Sequence, residues 1–141
     1  MHALFPSSEW VSNLLEKLNT DEQYASIAHD WEGDLLFLIE PGNGLEEEMK
    51  IYLDLWHGTC RAGYIVPAGA DKEAAFTMQA VYGNFVRILT GELDAMQALM
   101  TRRLKLKGSM AYMMRNIPTV LDFVRCAREI THGFIDQKTR K

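Results

Sequence analysis

The residue types able to support catalysis or hold a metal are few and scattered in this 141-residue chain. The four histidines are His2, His29, His57 and His132, and the two cysteines are Cys60 and Cys126. His57 and Cys60 stand three apart around Gly58-Thr59. A zinc site needs about four clustered ligands, and no second pair accompanies this one. The same two residues could form a cysteine–histidine nucleophile, but no local signature goes with them, and a free cysteine often acts as a small buried hydrophobe. The run Glu46-Glu47-Glu48 adjoins a turn and reads as a solvated strand entrance. The glycines of Pro41-Gly42-Asn43-Gly44 lie between two strands, whereas a phosphate-cradling loop lies between a strand and a helix. The expectation is therefore no metal, no cofactor and no catalytic residue.

The elements around these residues follow from periodicity. Trp10, Val11, Leu14, Leu15 and Leu18 share one helical face, with Ser7 or Ser8 as the cap and Asn19 as the break. Thr20 with Gln23 reads as a capping box for a second helix bearing Tyr24, Ile27, Ala28 and Trp31, ended by Gly33. Asp34–Glu40 is a continuous apolar run suited to a central strand. Met49–Trp56 alternates, with Ile51, Leu53 and Leu55 opposite Tyr52, Asp54 and Trp56. Cys60–Val66 and Ala74–Val81 complete four strands, the first three as an antiparallel meander. A helix with Tyr82, Phe85, Val86 and Leu89 stops at Gly91. Asp94 caps a short helix with Met96, Leu99 and Met100. Arg103–Lys107 is a fifth strand with Leu104 and Leu106 facing in. Two further helices carry Met110, Met113, Met114 and Ile117, then Val120, Phe123, Val124, Ala127 and Ile130 after Pro118-Thr119.

Composition narrows the class. Hydrophobic residues make up 48% and charged residues 24%, an ordinary globular balance that excludes disorder. No apolar run nears the ~20 residues needed to span a bilayer. The first residues show no secretory signal, and two cysteines make no disulfide framework, so free thiols and a cytoplasmic location are expected. The net charge is −4 but uneven: residues 1–101 hold 16 acidic and 5 basic side chains, and residues 102–141 hold 3 and 10. An acidic chain speaks against general nucleic-acid binding. The basic excess, with Arg102, Arg103, Lys105 and Lys107 foremost, suggests transient contact with an anionic membrane surface. Five of the eight methionines fall in the short helical stretches after the fourth strand, where their flexible side chains suit an adaptable apolar wall.

The run Leu89-Thr90-Gly91-Glu92-Leu93-Asp94-Ala95-Met96, then Met100, then Arg103-Leu104-Lys105-Leu106-Lys107-Gly108-Ser109-Met110, resembles the sterol carrier protein type 2 family, also called non-specific lipid-transfer proteins. Trp31-Glu32-Gly33-Asp34 and Leu53-Asp54-Leu55-Trp56-His57-Gly58 are similar too. The likeness covers roughly Ala28 to Val124. Ala95 stands where a proline is common, and Thr101-Arg102 replaces a glycine. The resemblance implies a five-stranded mixed sheet with helices on one face, an apolar tunnel between the layers, and non-catalytic binding of a lipid such as a fatty acid, an acyl-CoA or a sterol.

The reading that results is an α/β chain of the α+β type: residues 1–31 an N-terminal helical part, 32–131 the core and 132–141 a basic tail. Its function is non-catalytic binding or transfer of an apolar lipid (fatty acid, acyl-CoA, sterol-like or isoprenoid), as a monomer or a homodimer. The expected pocket residues are Phe76, Met78, Phe85, Leu89, Met96, Met100, Met110, Met114 and Phe123. Two alternatives stand against it. One is a small enzyme of the cone-shaped steroid-isomerase kind, for which Asp54 is the only acidic residue clearly inside a strand pattern. The other is an interaction domain with its pocket filled.

Overall fold

The computed structural model describes residues 4–42 and 44–135. The last six residues of the expected basic tail, and His2, lie outside them. The elements are β1 (Leu4–Phe5), α1 (Ser8–Thr20), α2 (Glu22–Ile27), β2 (Leu35–Glu40), β3 (Met49–Trp56), β4 (Thr59–Ile65), β5 (Phe76–Val81), α3 (Tyr82–Thr90), α4 (Ala95–Met100), β6 (Lys105–Lys107), α5 (Met110–Arg115), α6 (Ile117–Ile130) and β7 (Gly133–Phe134). Five strands form one sheet in the order β4-β3-β2-β5-β6. β2 pairs parallel with β5 and antiparallel with β3, and the β3–β4 and β5–β6 pairs are antiparallel. This is the mixed five-stranded sheet expected, with β2 in the middle. β1 and β7 form a separate parallel pair, placing Phe5 opposite Phe134.

Four of the six helices, α1, α2, α4 and α5, start on a side-chain cap, which offsets donors that have no partner in the first turn. The Ser7 hydroxyl accepts from Trp10 N at 3.1 Å, Asp94 from Gln97 N at 2.9 Å, and Ser109 from Tyr112 N at 3.1 Å. The N-terminal boundary differs from the sequence reading. Asn19 does not break α1; it lies inside the helix, and its amide bonds both Cys60 N (2.7 Å) and Cys60 O (2.9 Å). Asp21, not Thr20, caps α2, accepting from Tyr24 N at 2.9 Å. Gln23 closes no capping box but donates to Asp122 at 2.6 Å. α2 ends at Ile27, so Trp31 and Gly33 belong to the connection that follows. For Asn19 and Gln23, a tertiary partner has outcompeted the local one.

Strand parity builds the two faces. Ile51, Leu53 and Leu55 are buried beneath the helices, together with Phe76, Met78 and Ala80 of β5. The opposite face is covered in part by the β4–β5 connection: Val66, Ala70 and Ala74 pack on Leu36 and Tyr52. Asp34 fastens that connection, accepting from Ala75 N (2.6 Å) and from the Tyr52 hydroxyl (2.7 Å). Lys72 lies 4.1 Å over the Tyr52 ring.

One corner of the helical layer is held by charge. The Arg125 guanidinium bonds Asp21 (2.7 Å), Asp122 (2.8 Å) and Glu129 (3.0 Å), and Lys17 bridges Asp21 (3.1 Å) and Glu129 (2.7 Å). Hydrogen bonding to Arg125 holds the Asp21 carboxyl well below the ordinary carboxylate range. Lys17 lowers Glu129 in the same way, with Arg125 adding to it. α1, the cap of α2 and α6 are thereby joined.

Candidate functional site

Between the sheet and the helices lies an apolar cavity of about 80 Å³. Its sheet side is Leu35 and Phe37 of β2, Leu55 of β3 and Met78 of β5. Its helical side is Phe85, Ile88 and Leu89 of α3, Ala95 and Leu99 of α4, Met113 of α5, and Thr119, Val120, Phe123, Val124 and Ala127 of α6. Phe5, Trp10, Tyr24, Trp31 and Leu104 complete the lining. The aromatic rings hold one another. Phe37 stacks on Phe123 (centroids 5.9 Å apart) and meets Phe85 edge-on (6.0 Å), while Phe5 meets Trp10 edge-on (4.8 Å).

Three polar side-chain groups of the lining are bonded within the protein. The Trp10 indole donates to Thr131 Oγ1 (2.7 Å), the Trp31 indole to Gly33 O (2.8 Å), and the Thr119 hydroxyl to Ile27 O (3.3 Å). Ligand pockets usually span ~300–1,000 Å³. A cavity this small is contracted, so a lipid-sized guest requires its wall to move.

Of the nine residues expected from sequence, Met78, Phe85, Leu89 and Phe123 line the cavity. Phe76 is buried but outside the lining, stacked on Tyr112 (5.6 Å) and tilted against Trp31 (5.4 Å). A Cβ at Gly33 would approach the Phe76 ring to 2.6 Å, and one at Gly108 would meet the Ala75 carbonyl oxygen at 2.6 Å and the Phe76 ring at 2.9 Å, so neither position has room for a side chain. Met96 is half-buried beside the core without reaching the cavity. Met100, Met110 and Met114 do not close it: they are 69%, 41% and 42% exposed. The inward places are already taken: Ala95, Ala98 and Leu99 are the buried residues of α4, and Met113 is that of α5.

Five of the lining residues absent from the sequence expectation are aromatic: Phe5, Trp10, Tyr24, Trp31 and Phe37. Phe37 lies in a run with no alternation to give its face, although pairing with Ile51 and Met78 fixes it. Phe5 is placed by the β1–β7 pair across almost the whole chain, and no local signal marks it. Trp10 and Leu99 are legible as apolar-face residues, but nothing local distinguishes a cavity wall from a filled core.

The candidate chemical groups lie elsewhere. Asp54 is on the sheet face away from the cavity, paired with Arg61 at 3.1 Å. His57 bonds Glu32 at 2.6 Å on the surface. The Cys60 thiol donates to Ala62 O at 3.3 Å, and burial pushes it up to about 11, far from a reactive thiolate. Burial likewise pushes Cys126 to about 11, and both thiols are free. Asp21, Asp122 and Cys126 bring potential ligand atoms within 4.8 Å of one another, but Arg125 already bonds both carboxylates. No helix among the described residues is long and apolar enough to cross a membrane.

The sequence profile of the SCP-2 sterol transfer family matches residues 12–120. The chain belongs to that family. A crystal structure of sterol carrier protein 2 is 32% identical and superposes with a TM-score of 0.81, covering 89% of this chain and 98% of that one. A solution structure from Thermus thermophilus, described as possibly a sterol carrier protein, is also 32% identical, with a TM-score of 0.82 and coverage of 94% and 93%. Sterol carrier protein 2 from Aedes aegypti, determined with palmitate, shares the fold at 17% identity and a TM-score of 0.53, covering 84% of this chain and 93% of that one. A comparison with curated protein sequences gave no match. Membership in the SCP-2 family places the chain among non-catalytic lipid-binding and lipid-transfer proteins. The cavity between sheet and helices is the site that fits this role.

Proposed function

We propose that this SCP-2 family chain binds one amphiphile with a flexible acyl chain, its tail in the cavity and its head group at the rim. The observation that carries this reading is the lining itself. It is apolar and aromatic, and the Trp10, Trp31 and Thr119 polar groups bordering it are already bonded within the protein. A buried head group would therefore be left without partners, at a cost of roughly 2–7 kcal/mol for an uncharged polar group. The cavity's small size favours a chain that threads between side chains over a rigid ring system, and Met78 and Met113 can repack around it. The complex of the Aedes aegypti relative with palmitate is in keeping with this preference.

Competition against a fluorescent fatty acid tests the reading. Palmitate should displace the probe at lower concentration than cholesterol does. Stronger displacement by cholesterol would overturn the acyl-chain assignment. Failure of either to bind would return the chain to the interaction-domain alternative.

A further inference from the structure

Among the described residues, the cavity is walled by side chains of the five-stranded sheet, of the six helices and of their connections, with one exception. Phe5 belongs to β1, in the separate two-stranded sheet. The segment that carries it is clasped on both sides. β1 pairs with β7 through Leu4 with Gly133 and Phe5 with Phe134. The Ser7 hydroxyl donates to Leu4 O at 2.6 Å while it accepts from Trp10 N at the start of α1. The Trp10 indole in turn bonds Thr131, just before β7, at 2.7 Å.

The ring delivered by this clasp is buried. It meets Trp10 edge-on at 4.8 Å between centroids, lies parallel to Tyr82 at 6.2 Å, tilts against Phe85 at 6.1 Å and meets Phe134 edge-on at 6.4 Å. Tyr82 and Phe134 do not line the cavity, so the Phe5 ring stands between that space and an aromatic cluster behind it. Its place is at one end. The lining begins at Leu35 of β2, whose strand partner Phe76 tilts against Trp31. It continues through Phe37, which meets Phe85, and Phe85 meets Phe5. A tail lying along β2 from the Trp31 side therefore runs toward the Phe5 ring. β1 and β7 both lie outside residues 12–120, the stretch matched by the family profile.

We propose that Phe5 is the end stop of the tail space and sets the longest acyl chain that the cavity accepts. The proposal rests on the acyl-chain reading of the cavity and adds to it the residue that fixes tail length. Met78 and Met113 can change rotamer around a guest. A ring wedged against four others has no such freedom, because close-packed interiors leave little space to move into.

Displacement of a fluorescent fatty acid by the saturated series laurate, myristate, palmitate, stearate and arachidate tests the stop. Each further methylene buried tightens binding about fourfold. Affinity for the parent chain should therefore rise along the series and level off where the tail reaches Phe5. In Phe5→Ala the levelling-off should come at least one member later. The first member beyond the parent's limit should bind this variant about fifteenfold more tightly than it binds the parent, because two more methylenes are buried. Phe134→Ala removes a ring behind Phe5 without opening the end of the cavity. It should lower the unfolding midpoint and leave the levelling-off at the parent's member. If Phe5→Ala does not fold, Phe5→Leu keeps an apolar side chain in the clasp and should move the limit in the same direction. An unchanged limit in the folded Phe5 variant, an equal shift in Phe134→Ala, or a parent affinity that rises unbroken through arachidate would overturn the proposal and leave the acyl-chain reading standing. A parent chain that takes up no member of the series would overturn both.

Discussion

At the α1–α2–α6 corner one guanidinium bonds three carboxylates, one of them the buried Asp122, and Lys17 bridges two of the three. At the α4–α5 corner there is no ion pair among the described residues, the helices are six residues long, and three methionines face water. Both corners border the same cavity, through Tyr24 and Ala127 at one and Leu99 and Met113 at the other. The contrast indicates how such a pocket can be both specific in shape and able to admit a guest. A fixed end, built on the sheet and its aromatic rings, holds the geometry. A loosely held end supplies the space.

The largest effect should come from cutting into the fixed end. Phe123→Ala removes the ring that stacks on Phe37 and should cost about 3–4 kcal/mol in urea unfolding, the usual range for a buried phenylalanine. Fatty-acid binding, by contrast, should survive, because the change adds space. Arg125→Ala comes next. It leaves the carboxylate of Asp122, 5% exposed, without its counter-charge. Breaking a buried pair costs ~3–5 kcal/mol, and partial exposure of Arg125 brings the expectation to about 2–3 kcal/mol. If both variants lose less than loose-end substitutions do, the assignment of fixed and loose ends is reversed.

Acid gives a subtler probe of the charged corner. The Asp21 and Glu129 carboxyls are held below their ordinary values of 3.8 and 4.5. The stability they contribute is complete above those values and is lost as pH falls beneath them. Cys60 and Cys126 act in the opposite sense, since burial raises them from 9.0 to about 11. Their contribution is complete below pH 9.0 and is lost as pH rises toward 11. Unfolding midpoints measured across pH should therefore fall at both extremes, and Arg125→Ala should flatten the acid side.

Substitutions at the loose end should have the smallest effects on stability. Met113→Leu roughly conserves volume in the cavity wall and should cost under ~1.5 kcal/mol, while changing the preference among fatty acids of different chain length. Met100→Asp should shift stability by less than ~0.5 kcal/mol, since the side chain is 69% exposed. A large loss of stability in Met100→Asp would mean that Met100 packs inward after all.

Much of this architecture is written locally. The alternation of Met49–Trp56 fixes which face of β3 is dry, and Gly91 and Asp94 punctuate the helices between β5 and β6 at the positions observed. What local pattern does not carry depends on contacts far apart in the chain. The amide of Asn19 is spent on Cys60 and Gln23 on Asp122, so neither acts as a local stop or cap. Phe5 reaches the cavity through a strand pair with Gly133–Phe134. The methionine stripe is wider in the sequence than in the wall: Met110, Met113 and Met114, spaced i, i+3 and i+4, share one face of α5, yet only Met113 is buried. Apolar periodicity thus gives the face of a helix and not the depth to which each side chain reaches.

The methionine methyl groups allow the central claim to be tested directly. Met78 and Met113 line the cavity, whereas Met100, Met110 and Met114 are on the outer surface. Titrating palmitate into protein labelled with carbon-13 at the methionine methyls, without vesicles, reports on both groups in one spectrum. An internal lipid-binding site predicts that the Met78 and Met113 resonances shift most and saturate together. Changes confined to Met100, Met110 and Met114, with Met78 and Met113 unmoved, would place the lipid on the surface and contradict the account.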